Sequence, residues 1–117
     1  MGDLQRRLTA FLGGLGVPVY LRGWVPARAV RPYMTFAPET ARPLEKGRLT
    51  LRYYAPREGG NAARAAWMAA LGRLIPPAGT VLAGVCLLRP ETERLTGGPG
   101  DPEGPAAEAV LTLTRLA

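Results

Sequence analysis

The side chains best able to do chemistry in this chain are few and stand apart from one another. Cys86 is the only cysteine. It sits in the apolar run Val85-Cys86-Leu87-Leu88, where burial raises a thiol's pKa and leaves it inert. Asp3 and Asp101 are the only aspartates, one near the chain start and the other in a glycine-proline segment. Glu91 and Glu93 share one strand face, but no acidic residue near them in sequence suggests a metal site or a glycosidase pair. On an edge strand such charges deter mispairing. Histidine and serine are absent from all 117 residues. Histidine is the usual proton shuttle near neutral pH and the commonest metal ligand, and serine is a frequent covalent nucleophile. Serine–histidine triads, cysteine–histidine dyads and histidine-based zinc sites are therefore excluded. The expectation is a non-enzymatic chain with no cofactor and no metal.

What remains is basic and aromatic. Residues 1–57 carry a net charge of +7 and residues 58–117 a net −1, together the +6 of the whole chain. All basic residues but Lys46 are arginine. One explanation is nucleic-acid binding; the other is a GC-rich genome, whose codons favour Arg, Ala, Gly and Pro. Arg52, Tyr53, Tyr54 and Arg57 place cations beside rings, as single-strand binders do. The alternative there is a tyrosine pair straddling a sheet, one ring in the core and the other covering an interface. The segment Lys46-Gly47-Arg48-Leu49-Thr50-Leu51-Arg52-Tyr53 is faintly like the stacking strand of an RNA-recognition motif. That strand needs aromatics where this one has Arg48 and Thr50, and that fold opens with a strand rather than a helix. Gly13-Gly14-Leu15-Gly16 follows a helix and precedes a strand, the reverse of the order that aims backbone amides at phosphate. It reads as a helix stop.

The elements that must position these groups form a single domain over residues 1–117. Leu4, Leu8, Phe11, Leu12 and Leu15 mark one face of a helix near 3–13, with Asp3 as its cap. Strands follow near 17–21 and 31–37, where Tyr33 and Thr35 point one way and Met34 and Phe36 the other. The segment 48–54 has the clearest alternation, with Leu49, Leu51 and Tyr53 opposite Arg48, Thr50, Arg52 and Tyr54. Asn61 suits the cap of a second helix, near 61–75, whose stripe is Ala63, Trp67, Ala70, Leu71 and Leu74. Residues 80–89 look too apolar to be exposed, with Gly84 dividing or bending them. Thr96–Ala107, with four glycines and three prolines, reads as a long mobile loop, before a last strand near 108–116. The order is α-β-β-β-α-β-β. The fold class is α+β, a mainly antiparallel sheet of four to five strands with two helices on one face. No window approaches the roughly 18 apolar residues of a membrane span, and no signal-type stretch opens the chain. A soluble, intracellular protein is expected.

The order of these elements resembles a known group. A helix, then Val17-Pro18-Val19-Tyr20, then Arg31-Pro32-Tyr33-Met34-Thr35-Phe36, then the long strand and an alanine-rich helix carrying Trp67, is similar to the small tail-terminator and tail-completion proteins of tailed bacteriophages and prophages. The resemblance covers roughly residues 3–90 and is one of pattern. It implies a structural role: a homo-oligomeric ring, commonly of six subunits, that caps the tail tube and presents a surface to the head. The partners it implies are further copies of the chain and tail-tube or neck proteins, in the bacterial cytoplasm and then in the virion. Subunits of a ring meet through two different surfaces. The split charge suggests Arg48, Arg52 and Arg57 facing Glu91, Glu93 or Glu108 of a neighbour, with Tyr54 covering the contact and the loop residue Trp24 anchoring a partner. A small basic nucleic-acid-binding domain is the competing expectation.

Overall fold

A computed structural model describes residues 2–39, 46–82, 86–90 and 104–115. The first helix, α1, spans Asp3–Leu12 and runs into a 3-10 turn at Gly13–Leu15. Its cap is Gly2 rather than Asp3. Asp3 lies inside the first turn, where its charge suits the helix dipole and its carboxylate meets Arg7 Nε at 3.2 Å. The Gly2 N–H donates to Gln5 Oε1 at 3.1 Å. Gly16, at φ 82°, ends the turn in the left-handed conformation.

Three strands follow: β1 at Val19–Leu21, β2 at Tyr33–Glu39 and β3 at Lys46–Tyr54. The second helix, α2, spans Gly60–Leu74 and is capped by Gly59 at φ 70°. The cap expected at Asn61 is displaced because Gly59 adopts the left-handed turn into the helix and Asn61 already lies within it. Three further strands lie among the described residues: β4 at Thr80–Leu82, β5 at Cys86–Pro90 and β6 at Ala107–Arg115.

Among the described residues the sheet has six strands in the order β1-β2-β3-β6-β5-β4. It is mixed, since β1 and β2 are parallel while every other pair is antiparallel. The apolar segment 80–89 supplies two strands paired antiparallel, β4 and β5, which adds the strand missing from the expected count. Burial there is also less complete than its composition suggests. Val81 is 58 % exposed, because β4 is an edge strand and Val81 points away from the core. Pro38 fits within β2 because Met34 N–H and Phe36 C=O face β1. By alternation Pro38 faces that same side, where β1 has already ended.

Both helices lie on one face of the sheet and share one core with it. Leu8, Leu12 and Leu15 of the first stripe and Trp67 and Leu71 of the second are buried against Met34, Phe36, Leu49, Leu51 and Leu113. Leu4, Phe11, Ala63, Ala70 and Leu74 pack at the margin. In a flat sheet the outer strands would stand about 24 Å apart, yet α1 touches both β1 and β4, because the sheet curls around it.

Candidate functional site

Alternation along β3 sends Leu49, Leu51 and Tyr53 to the helices and Thr50, Arg52 and Tyr54 to the opposite face. Register extends that face. Tyr33 lies opposite Tyr54 and Thr35 opposite Arg52, Tyr20 lies beside Thr35, and Glu108 lies opposite Arg52 on β6. The helix-free face therefore carries three tyrosines from three neighbouring strands beside the Arg52–Glu108 ion pair.

The tyrosines engage one another. Tyr33 and Tyr54 stack with centroids 4.8 Å apart and planes at 21°. Tyr20 meets Tyr33 edge-on at 5.8 Å and 66°. The Arg31 guanidinium sits 5.5 Å from the Tyr54 centroid, and its nitrogens donate to the Ala55 and Gly104 carbonyls at 3.4 and 3.5 Å. Tyr54 thus stacks on Tyr33 and also lies under Arg31. The tyrosine pair of β3 straddles the sheet as expected, for Tyr53 faces the core and stacks on Trp67 at 5.1 Å and 14°. Burial raises the Tyr53 pKa and keeps its phenol neutral.

Arg52 Nε donates to Glu108 Oε2 at 2.9 Å. That bond, with the attraction of the carboxylate, raises the guanidinium further above its ordinary pKa despite an opposing desolvation. Arg52 and Glu108, which the sequence set across a subunit contact, lie opposite on adjacent strands and form this pair within one chain. Thr35, only 3 % exposed, holds a hydroxyl that has no hydrogen-bond partner among the described residues.

The other expected contact residues are spread around this face. Arg48 is exposed four residues before Arg52 on β3. Arg57 is exposed beyond the end of β3 and lines a cleft of about 460 Å³ with Ala29, Val30, Arg31, Tyr33 and Pro56. Trp24 stands 76 % exposed in the connection between β1 and β2. Glu91 and Glu93 lie outside the described residues, as do the Cys86 side chain and residues 96–103 of the expected loop. The far end of that loop is tied down, for Ala106 N–H donates to the Tyr53 carbonyl at 2.7 Å. Sequence reasoning misses Tyr20, Arg31, Tyr33 and Thr35 as site residues. Strand alternation marks their faces, but only the cross-strand register brings them together.

Chemically the face offers ring edges, phenol hydroxyls and a neutralised ion pair. Among the described residues no group of three Cys, Asp or Glu side chains could hold a metal ion, and no helix is long and apolar enough to cross a membrane. The chain matches no protein-family model, and comparison with curated proteins and with solved structures returns no significant match.

Proposed function

We propose that this chain is a non-enzymatic assembly subunit that builds a closed homo-oligomer, as the phage tail terminators it resembles do. In that role it caps a tail tube and presents a surface to the next component, acting first in the bacterial cytoplasm and then in the virion. The observation that carries this reading is the self-engaged tyrosine row. A single-strand binder needs open ring faces on which bases can stack, whereas Tyr54 already stacks on Tyr33 and lies under Arg31. Rings packed together present their edges and hydroxyls, which is how tyrosine serves protein contacts. The absence of histidine and serine from the sequence supports the same reading.

Sedimentation velocity over a hundredfold concentration range, beside a titration with generic DNA and RNA, tests the proposal. Mass action should drive the protein from monomer to one discrete oligomer without nucleic acid. Salt-sensitive binding of nucleic acid by a protein that stays monomeric throughout would overturn it and favour the basic binding-domain alternative.

A further inference from the structure

The two edges of the sheet are complementary to each other in direction, in backbone groups and in side chains. Direction follows from the pairings: β2 runs with β1, β3 against it, β6 with it, β5 against it and β4 with it. A ring whose axis runs along the strands preserves every strand's direction. In such a ring β4 of one copy can meet β1 of the next only in parallel.

The backbone groups agree. Pro18 C=O and Arg22 N–H bond to β2, so by alternation Tyr20 also faces β2 while Val19 and Leu21 face outward. Leu21 C=O is taken by Trp24 N–H. Among the described residues nothing bonds Val19 C=O or Leu21 N–H, and both lie on the edge. On β4, the Leu88 carbonyl points toward that strand, 2.8 Å from where a Cβ on Gly79 would stand. The Thr80–Leu88 pair thus makes the ladder bonds, and the N–H and C=O of Val81 face outward. A parallel ladder requires one residue to bond the two that flank its register partner. Val81 N–H to Val19 C=O, and Leu21 N–H to Val81 C=O, meets that requirement.

The side chains complete the match. This register sets Val81 beside Tyr20 on the helix-free face, covering a valine that is 58 % exposed in the single chain. Neither Val19–Leu21 nor Thr80–Leu82 contains a charge or a proline, two of the usual guards on an open edge.

We propose that successive copies join by parallel pairing of the β4 edge with the β1 edge, with Val81 seated between Val19 and Leu21 of its neighbour, so that one sheet runs continuously through the oligomer. The inference rests on the assembly reading above and names its contact.

Two variants test it, in a chain whose Cys86 is replaced by alanine for the cross-linking arm. Tyr20→Cys/Val81→Cys, treated with a short bis-maleimide, should give a ladder of dimers, trimers and higher species, while either single variant should not. Val81→Pro removes the outward N–H without touching the β4–β5 ladder. It should raise the concentration for half-assembly about tenfold or more, the equivalent of one hydrogen bond. An oligomer that neither cross-links nor responds to Val81→Pro would overturn the edge pairing and leave the assembly reading standing. Cross-linked dimers from Val81→Cys alone would replace it by a two-fold contact. A chain that stays monomeric at every concentration would overturn both.

Discussion

Replacing Trp67 probes the centre of the packing. Its ring is 3 % exposed and lies flat on Tyr53, while among the described residues its Nε1–H has no hydrogen-bond partner. Truncation to alanine forfeits the buried ring and the stack, a loss of about 3–5 kcal/mol for tryptophan in a core. Phenylalanine keeps a stacking ring and removes the unpartnered donor. The smaller ring gives up roughly 50 Å² of apolar burial, or about 1.3 kcal/mol at about 25 cal/mol per Å². Deleting an unsatisfied buried N–H returns about 1–3 kcal/mol. The two nearly cancel, so Trp67→Phe should stay within about 1 kcal/mol of the parent while Trp67→Ala falls by three or more times that amount. Urea unfolding followed by far-ultraviolet circular dichroism reads both without relying on the fluorescence being deleted. With a slope of about 1.5–2 kcal/mol per molar, the alanine variant should unfold about 2 M earlier. A phenylalanine variant as damaged as the alanine one would show that the indole N–H is satisfied in solution. An alanine variant losing less than about 1 kcal/mol would show that Trp67 is not core.

Three further outcomes follow from the described geometry. Tyr53 has its pKa raised by burial, so the unfolded chain ionises first; stability from this group is full below about pH 10 and is lost as pH climbs toward the folded value. Tyr53→Phe should flatten that alkaline decline in urea midpoints, and parallel pH curves would refute it. Gly79→Ala should cost more than about 2 kcal/mol, because φ is 90° and the new Cβ would stand 2.8 Å from the Leu88 carbonyl. Gly59→Ala, at φ 70° with open space around it, should cost only about 1 kcal/mol; equal losses in thermal melts would discount the close approach. A double-mutant cycle on Arg52 and Glu108, whose side chains are 36 % and 30 % exposed, should give a coupling of about 0.5–1 kcal/mol that shrinks with added salt.

Periodicity alone makes the helices and the inward faces of the strands legible in the amino-acid sequence. The stripe through Leu8 and Leu12, the stripe through Trp67 and Leu71, and the alternation of Leu49, Leu51 and Tyr53 all face the core. Strand partners are not legible in the same way, because a period of two tells which side a residue faces and nothing about which strand lies beside it. The parallel β1–β2 pair and the placement of β6 between β3 and β5 therefore have no local mark. The run 80–89 hides two strands because apolar content alone cannot separate one buried strand from a pair whose outer member carries Val81 to the surface. The site is legible only in part: Tyr54 and Arg52 are visible on one face of β3, whereas the Tyr20–Tyr33–Tyr54 row depends on register across three strands. Asn61 loses the cap to Gly59 because a glycine at positive φ can turn the chain into a helix without any side-chain bond.

The central position of β6 has a kinetic consequence. It is last in chain order among the six described strands, yet it lies between β3 and β5, and its pairing with β3 joins residues such as Arg52 and Glu108 that are 56 positions apart. Closing so long a loop carries its entropic cost before any ladder bond repays it, which slows folding relative to topologies built from local contacts. Until β6 inserts, β3 and β5 each present an open side and the sheet exists as two separate halves. During that interval a β6 from another molecule can fill the gap as well as the chain's own can. Dilute refolding should therefore give monomers, and concentrated refolding should trap exchanged dimers.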